Sequence, residues 1–268
     1  MNHPHELQSE LVAEAFADYR KNTAYRVNES AEAKAHEQGT RVGISRKHES
    51  AHLHVAGEAA YIDDLPELEG TLHCALGLSP VAHGRLTALA LEAVRAMPDV
   101  VDVLTAADIP GVNDCGSIMP DDPILCDGEI RYVGQPLFAV IARNRDAARR
   151  AAALAKNAAT ISELPPVLTP HKAHELGQYV MPPMHLERST HEGGARAAID
   201  TAPHRIKGTF DVGGQEQFYL EGQISYATPK EDGAVHIYCS IQHPSEMQHL
   251  VAHALGVASH SVHVECRR

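Results

Sequence analysis

Gln242 lies at a predicted strand-to-helix junction and is the residue of this sequence best placed for ligand chemistry. In a strand–helix–strand crossover, the residue that leaves the first strand faces the helix N-terminus, where α/β folds commonly bind anions and cofactors. An uncharged amide at that place can donate one hydrogen bond and accept another, which suits an oxo or phosphate ligand. The alternative is a turn glutamine that bonds to the local backbone, and the pattern alone favours this alternative.

The 19 histidines offer the other possible chemistry, which is metal binding. His249 and His253 are four residues apart on the predicted helix, but the glutamate of an HExxH motif and a third ligand are missing. Surface or core-edge histidines are therefore favoured, and a histidine-rich metal carrier is a weaker hypothesis. The other histidines considered show no recognised ligand spacing and are His3, His5, His52, His54, His73 and His83.

The C-terminal segment 234–268 is predicted to position Gln242. Residues 235–239 alternate between apolar and polar types, which predicts a strand. Pro244 suits the first turn of a helix, and Gly256 is a natural stop for it. Residues 262–266 alternate again, so the segment predicts a strand–helix–strand crossover. The predicted inner face of the helix consists of Met247, Leu250, Val251, Ala254 and Leu255.

Composition narrows the class of protein. The 268 residues include 23 basic and 35 acidic side chains, a net charge of −12, without a run of Lys or Arg, so nucleic acid and anionic membranes are poor partners. No apolar segment approaches the roughly 20 residues that cross a bilayer, and the N-terminus does not resemble a signal peptide. Five scattered cysteines without a CxxC pair predict reduced thiols in the cytoplasm, and neither a zinc ribbon nor an iron–sulfur site.

The rest of the chain predicts an α+β protein in four parts. Residues 1–44 read as a polar extension with a possible helix over 6–19, and residues 45–168 as short strands with helices over 88–97 and 145–159. Strands are also expected at 100–104, 130–133 and 137–142. Residues 169–204, which are rich in Pro and Gly, predict a linker. Residues 205–268 begin a second domain, with strands expected at 206–212 and 215–227 before the crossover.

Two C-terminal segments carry a family resemblance. The segments GGQEQFYLEGQISYA (213–227) and SIQHPSEMQHLVAHALGVASHSVHVECRR (240–268) resemble the molybdenum-binding subunit of the xanthine dehydrogenases, in the xanthine oxidase/aldehyde oxidase family. HVAGEAAYIDD (54–64), LHCALGLSPVAHGRL (72–86), VVDVLTAADIPGVNDCG (100–116) and VGQPLFAVIA (133–142) resemble its α/β hammerhead domain. The resemblance covers residues 42–268 and implies a hammerhead domain followed by an incomplete first molybdopterin-binding domain.

The resemblance implies a molybdenum hydroxylase. In that family a molybdopterin cofactor holds molybdenum and supplies the oxidising chemistry, while iron–sulfur clusters and FAD, on a separate partner subunit in many bacteria, carry the electrons to NAD. The glutamine of the family's Ser-X-Gln segment matches Gln242, which the resemblance makes a contact to molybdenum through its oxo ligand. The implied reaction is hydroxylation of hypoxanthine and xanthine to urate in purine catabolism.

The family pattern continues beyond the final Cys-Arg-Arg into a glycine-rich segment, a substrate-binding arginine and a late catalytic glutamate. We therefore expect no catalytic residue within these 268 residues and no turnover by them alone. Glu216 and Glu221 are expected to be structural or hydrogen-bonding residues. Two alternatives stay open: another molybdenum hydroxylase acting on an aldehyde or N-heterocycle, and a non-catalytic remnant that docks on the flavin/iron–sulfur subunit.

Overall fold

The computed structural model describes residues 47–182, 184 and 192–267. The chain divides into two compact units, residues 1–59 and 60–268. In the first unit the described residues form helix α1 (Ala51–Ala56), which ends at Gly57 in the left-handed conformation, φ 73°. Short strands were expected there, but the backbone N–H groups of this segment bond locally, to carbonyls three and four residues earlier. The predicted helix over 6–19 lies outside the described residues.

The second unit contains all the described strands. They are β1 (His73–Leu78), β2 (Gly84–Leu89), β3 (Val100–Leu104), β4 (Glu129–Ile130), β5 (Pro136–Ala142), β6 (Ala159–Glu163), β7 (Ser225–Pro229), β8 (Val235–Cys239) and β9 (Val262–Glu265). Its α-helices are α2 (Glu92–Arg95), α3 (Arg145–Ala152), α4 (Ala155–Ala158), α5 (Pro170–Glu175), α6 (Gly194–Thr201) and α7 (Pro244–Leu255). Four 3-10 turns lie at Ile62–Asp64, Ala106–Asp108, Glu231–Gly233 and Ser259–Ser261.

Two three-stranded antiparallel sheets, in the orders β1-β5-β3 and β4-β2-β6, form the N-terminal part of this unit. The strand β5 is central, and its Leu137, Phe138 and Val140 side chains are fully buried. Gly77 on β1 lies opposite Phe138, and a Cβ at Gly77 would approach the aromatic ring to 2.3 Å. Glycine at this position therefore lets the largest core side chain fill the space.

The helices of this part are shorter than the sequence predicts. The expected helix over 145–159 is divided into α3 and α4, because the chain turns at residues 153–154 before it enters β6. The small side chains of α3 pack against β1 and β5, and the buried ones are Ala147, Ala148, Ala151 and Ala152. The expected helix over 88–97 is reduced to α2, since residues 88 and 89 pair with β6 instead. The strand predicted at 130–133 is confined to β4.

The C-terminal sheet has the order β7-β8-β9, with β8 antiparallel to β7 and parallel to β9. Helix α7 crosses between the parallel strands, as predicted, and covers one face of the sheet. His243 caps this helix through its Nδ1, which accepts a hydrogen bond from the Glu246 N–H at 3.4 Å, and Gly256 ends it with φ 67°. The core of this part consists of Ile237, Cys239, Ala252 and Val262.

The strands predicted at 206–212 and over the first part of 215–227 are wrong. Residues 205–219 have no regular structure, and Ile206, Phe210 and Phe218 are at least 93% exposed. Alternation of residue types is not sufficient for a strand, because its backbone groups also need a neighbouring strand. Among the described residues of this stretch, only those from Ser225 onward pair with a neighbouring strand, which is β8.

Among the described residues, four hydrogen bonds connect turns and loops of the N-terminal part to the C-terminal part. The N–H groups of Gly111 and Val112 donate to the carbonyls of Ala254 and His253 at the end of α7, both at 2.9 Å. The two other bonds run from the Ile62 N–H to Glu221 Oε1, 2.9 Å, and from the Leu68 N–H to the Tyr226 hydroxyl, 3.1 Å. The first pair supplies a donor to the Ala254 carbonyl and a second donor, besides the Gly256 N–H, to the His253 carbonyl. In the described ranges no helix is long and apolar enough to span a membrane.

Replacement of Gly111 by alanine tests the tie to the helix end. The added Cβ would lie 2.0 Å from the His253 carbonyl oxygen, so the two hydrogen bonds to α7 must lengthen. We expect Gly111→Ala to lower the free energy of unfolding by about 1–3 kcal/mol. Urea unfolding of the chain measures this change. Gly128→Ala is the matched control, because a Cβ there meets nothing within 4 Å; equal effects of the two substitutions would contradict the prediction.

Candidate functional site

Gln242 lies between the end of β8 and the start of α7, at the carboxyl edge of the parallel pair. Its side chain is exposed, and no other described residue forms a hydrogen bond with its amide. The alternative of a turn glutamine bonded to local backbone is therefore not what the described residues form. The cap of α7 is supplied by the neighbouring His243 instead, which leaves both functions of the Gln242 amide available.

The loop that carries Gln242 is fixed by Ser240. The Ser240 hydroxyl donates to the Gly222 carbonyl at 2.8 Å and accepts from the Ile224 N–H at 3.0 Å. The Ser240 N–H also donates to the Ile224 carbonyl at 3.1 Å. Three hydrogen bonds thus join this residue to the segment before β7, so the backbone two residues before Gln242 has a defined position.

The chemistry of this junction fits one contact to a polar, electron-rich group of a cofactor. Helix α7 has 12 residues, and the partial positive charge of its N-terminus favours such a group. Pro244 contributes no N–H, and His243 occupies that of Glu246, while the exposed Gln242 amide and Ser245 hydroxyl are side-chain donors beside the helix start. One amide is a contact and not a complete site.

Glu221 holds two segments together, as expected of a structural residue. Its Oε1 accepts a hydrogen bond from the Ile62 N–H, so the carboxylate is engaged by the backbone of the N-terminal part. Glu216 is exposed in the irregular stretch 205–219. Neither geometry suggests a catalytic base.

The described histidines considered from the sequence are not members of the one group of three or more clustered metal-ligating side chains in the described residues. His249 contacts the Ser259 hydroxyl at 3.1 Å, and His73 lies 3.7 Å from Glu67. His52 and His54 are on α1, and His3 and His5 lie outside the described residues. A group that sequence spacing did not single out, His236, His263 and Glu265, has its ligand atoms within 4.8 Å of one another. Its members come from two strands, so only strand register could reveal it.

A cavity of about 520 Å³ lies between the start of α3 and residues 222–226. Among its charged lining residues, Glu67 forms ion pairs with Arg145 and with His73 when His73 is protonated. Gln242 is not among the residues that line it. The cavity therefore does not extend the junction at Gln242 into a larger site.

Comparisons with known proteins identify the family of the chain. Residues 56–158 match the family model "Aldehyde oxidase and xanthine dehydrogenase, a/b hammerhead domain", and residues 178–268 match the "Molybdopterin cofactor-binding domain". The chain belongs to the aldehyde oxidase and xanthine dehydrogenase family. Gln242 falls within the segment that matches the molybdopterin domain, and the predicted family and α+β fold are confirmed.

Relatives in this family carry two kinds of name. The chain is 35% identical over 234 residues to a xanthine dehydrogenase of Drosophila pseudoobscura pseudoobscura, and 33% identical over 230 residues to aldehyde oxidase 1 of Bos taurus. Each match covers 85% of this chain and 17% of the relative, so the chain spans about a sixth of their length. The aldehyde oxidoreductase of Desulfovibrio gigas has the same fold, with a TM-score of 0.68 and 24% identity over 81% of this chain and 26% of that protein.

His83 gives the hammerhead domain a pH-dependent tie. Its Nδ1 donates to the Pro165 carbonyl at 2.9 Å, and its Nε2 contacts Glu129 at 3.0 Å. These two acceptors favour the protonated ring and raise the pKa of His83 above its ordinary value. A raised pKa contributes stability below the unfolded-state pKa of about 6.5, and this contribution is lost as the pH rises through the folded-state pKa.

We therefore expect wild type to be more stable than His83→Gln at about pH 5.5, and this advantage to shrink by about pH 8.5. Urea midpoints of both proteins measured at the two pH values check the prediction. The difference in urea midpoint between the two proteins at each pH cancels the effect of the other histidines, which both proteins share. A constant difference across this range would show that the charge of His83 has no role in the tie.

Proposed function

We propose that this chain works within a molybdenum hydroxylase that oxidises hypoxanthine and xanthine to urate, with Gln242 as a contact to the molybdenum cofactor. The single observation that carries the proposal is the unpaired Gln242 amide at the N-terminus of α7, inside the segment that matches the molybdopterin domain. The cofactor, when bound, supplies the oxidation of an electrophilic carbon. Gln242 donates a hydrogen bond to an oxo ligand and so helps to orient the cofactor.

The other residues of the junction have positioning roles in this proposal. Ser240 fixes the strand end to residues 222–224, and His243 begins the helix. Their hydrogen bonds hold the backbone beside Gln242, so only its side chain must be ordered when the cofactor binds. A partner subunit with FAD and iron–sulfur clusters would receive the electrons, and we place the enzyme in the cytoplasm.

The purine assignment follows the xanthine dehydrogenase relatives, which reach 35% identity over 85% of this chain. The rival is a molybdenum hydroxylase that acts on an aldehyde or another N-heterocycle. Its support is the 33–34% identity to aldehyde oxidases. Steady-state kinetics of the molybdenum-loaded enzyme with xanthine, an aromatic aldehyde and quinoline decide between them. A higher kcat/KM for the aldehyde or quinoline than for xanthine would refute the purine assignment.

Replacement of Gln242 tests the proposed contact in the molybdenum-loaded enzyme that contains this chain. We expect Gln242→Ala to lower kcat by about 10- to 100-fold, the equivalent of one hydrogen bond to a strongly polar group. Molybdenum content, measured by mass spectrometry, separates lost cofactor from slower turnover. Gln178→Ala is the control, since this exposed glutamine precedes the molybdopterin domain's strands.

Two results would count against the contact. A Gln242→Ala enzyme with unchanged kcat and unchanged molybdenum content would show that the amide does not bear on the cofactor. A chain that copurifies with a flavin/iron–sulfur subunit but never contains molybdenum would support a non-catalytic docking role.

A further inference from the structure

Strand register places two histidines and a glutamate on one face of the C-terminal sheet. His236 on β8 pairs with His263 on the parallel strand β9, and Tyr238 pairs with Glu265. Residues two apart along a strand share a face. The intervening residues, among them Ile237 and Val264, pack against α7. The polar group therefore occupies the face opposite the helix.

The three side chains lie within reach of a single ion. The Nε2 atom of His236 is 3.4 Å from Oε2 of Glu265, and the rings of His236 and His263 are perpendicular, with centroids 4.4 Å apart. All the candidate ligand atoms are within 4.8 Å of one another. Zn–N bonds of about 2.0 Å place tetrahedral ligand atoms roughly 3.3 Å apart. The His236–Glu265 pair already has nearly this separation, and the His263 side chain is exposed.

His236 has a ring nitrogen available to an ion. Its Nε2 is buried and forms no hydrogen bond with the described residues, although Oε2 of Glu265 lies 3.4 Å away. A neutral imidazole with a free nitrogen is a metal ligand. A bound ion would also remove the cost of leaving that nitrogen unsatisfied.

The neighbouring groups leave a carboxylate oxygen for an ion. Arg267 approaches Oε1 of Glu265 at 3.1 Å, whereas His236 faces Oε2. Tyr238 stacks on the His236 ring, with centroids 4.3 Å apart and an interplanar angle of 25°. The stack fixes the ring plane of His236, and the arginine orients the carboxylate, which are the supporting contacts that metal ligands commonly have.

We propose that His236, His263 and Glu265 form a Zn²⁺ site that joins β8 to β9 on the face of the sheet opposite α7. The ion takes two imidazole nitrogens and one carboxylate oxygen, and water completes its coordination. It is separate from the junction at Gln242, and it holds the two parallel strands in register.

Zn²⁺ binding by the purified chain, freed of metal with a chelator, tests the site. Competition with a chromophoric chelator gives the affinity of each protein. Loss of a group that supports a metal ligand costs about 10- to 100-fold in metal affinity. We expect His263→Ala, which removes a ligand itself, to lower the affinity of the tightest Zn²⁺ site by at least that factor. Zn²⁺ should also raise the thermal midpoint of wild type but not of this variant. His260→Ala is the matched control, since His260 is exposed two residues before β9 and outside the group.

The choice of residues keeps the test decisive. His263 is exposed, so its removal leaves the core intact; Glu265→Gln supplies a second variant, with the same expected loss of affinity. Equal Zn²⁺ affinities of wild type and both variants would overturn the proposal. Thiolate-to-metal charge-transfer absorption with Co²⁺ would also overturn it, because it would assign the ion to cysteine ligands, such as Cys239 and Cys266 on the other face.

Discussion

The last carbonyl groups of α7 require hydrogen-bond donors, and the hammerhead domain contacts the molybdopterin-binding part of the chain by donating to them. A helix leaves its last carbonyls without intrahelical partners, and here the N–H groups of Gly111 and Val112 supply them from the hammerhead domain. The same helix carries Gln242 at its other end and covers the sheet that holds His236 and His263. Its placement therefore determines where both sites lie. Gly111 makes this possible because any side chain there would meet the His253 carbonyl oxygen.

The crossover at the C-terminus was predictable because its signals are local. Alternation in 235–239, proline at the helix start and glycine at its end act within a few residues of each element, and the structure has each element where the pattern places it. The strand expected at 206–212 failed for the opposite reason, since a strand also needs a neighbour and the sequence does not name one. The division of the helix expected over 145–159 likewise depends on the entry of the chain into β6.

The candidate sites show the same distinction. Gln242 could be singled out from the sequence because its junction is defined by adjacent elements, whereas its role rests on the resemblance to molybdenum hydroxylases. The group formed by His236, His263 and Glu265 was missed, although alternate residues of each strand share a face. Its members become neighbours only through the parallel register of β8 and β9, which is a property of the folded sheet. Histidine spacing along the chain gave no indication of it.

The distance along the sequence between residues joined by hydrogen bonds affects the order in which parts of the chain fold. The β8–α7–β9 crossover closes within about thirty residues, so its contacts cost little chain entropy and can form early in folding. The bonds from Ile62 to Glu221 and from Leu68 to Tyr226 instead join residues 159 and 158 positions apart. They form only after long loops have closed, when both partners are already folded. We therefore expect docking of the domains to be a late folding event, with the crossover formed while the end of α7 is still exposed to solvent.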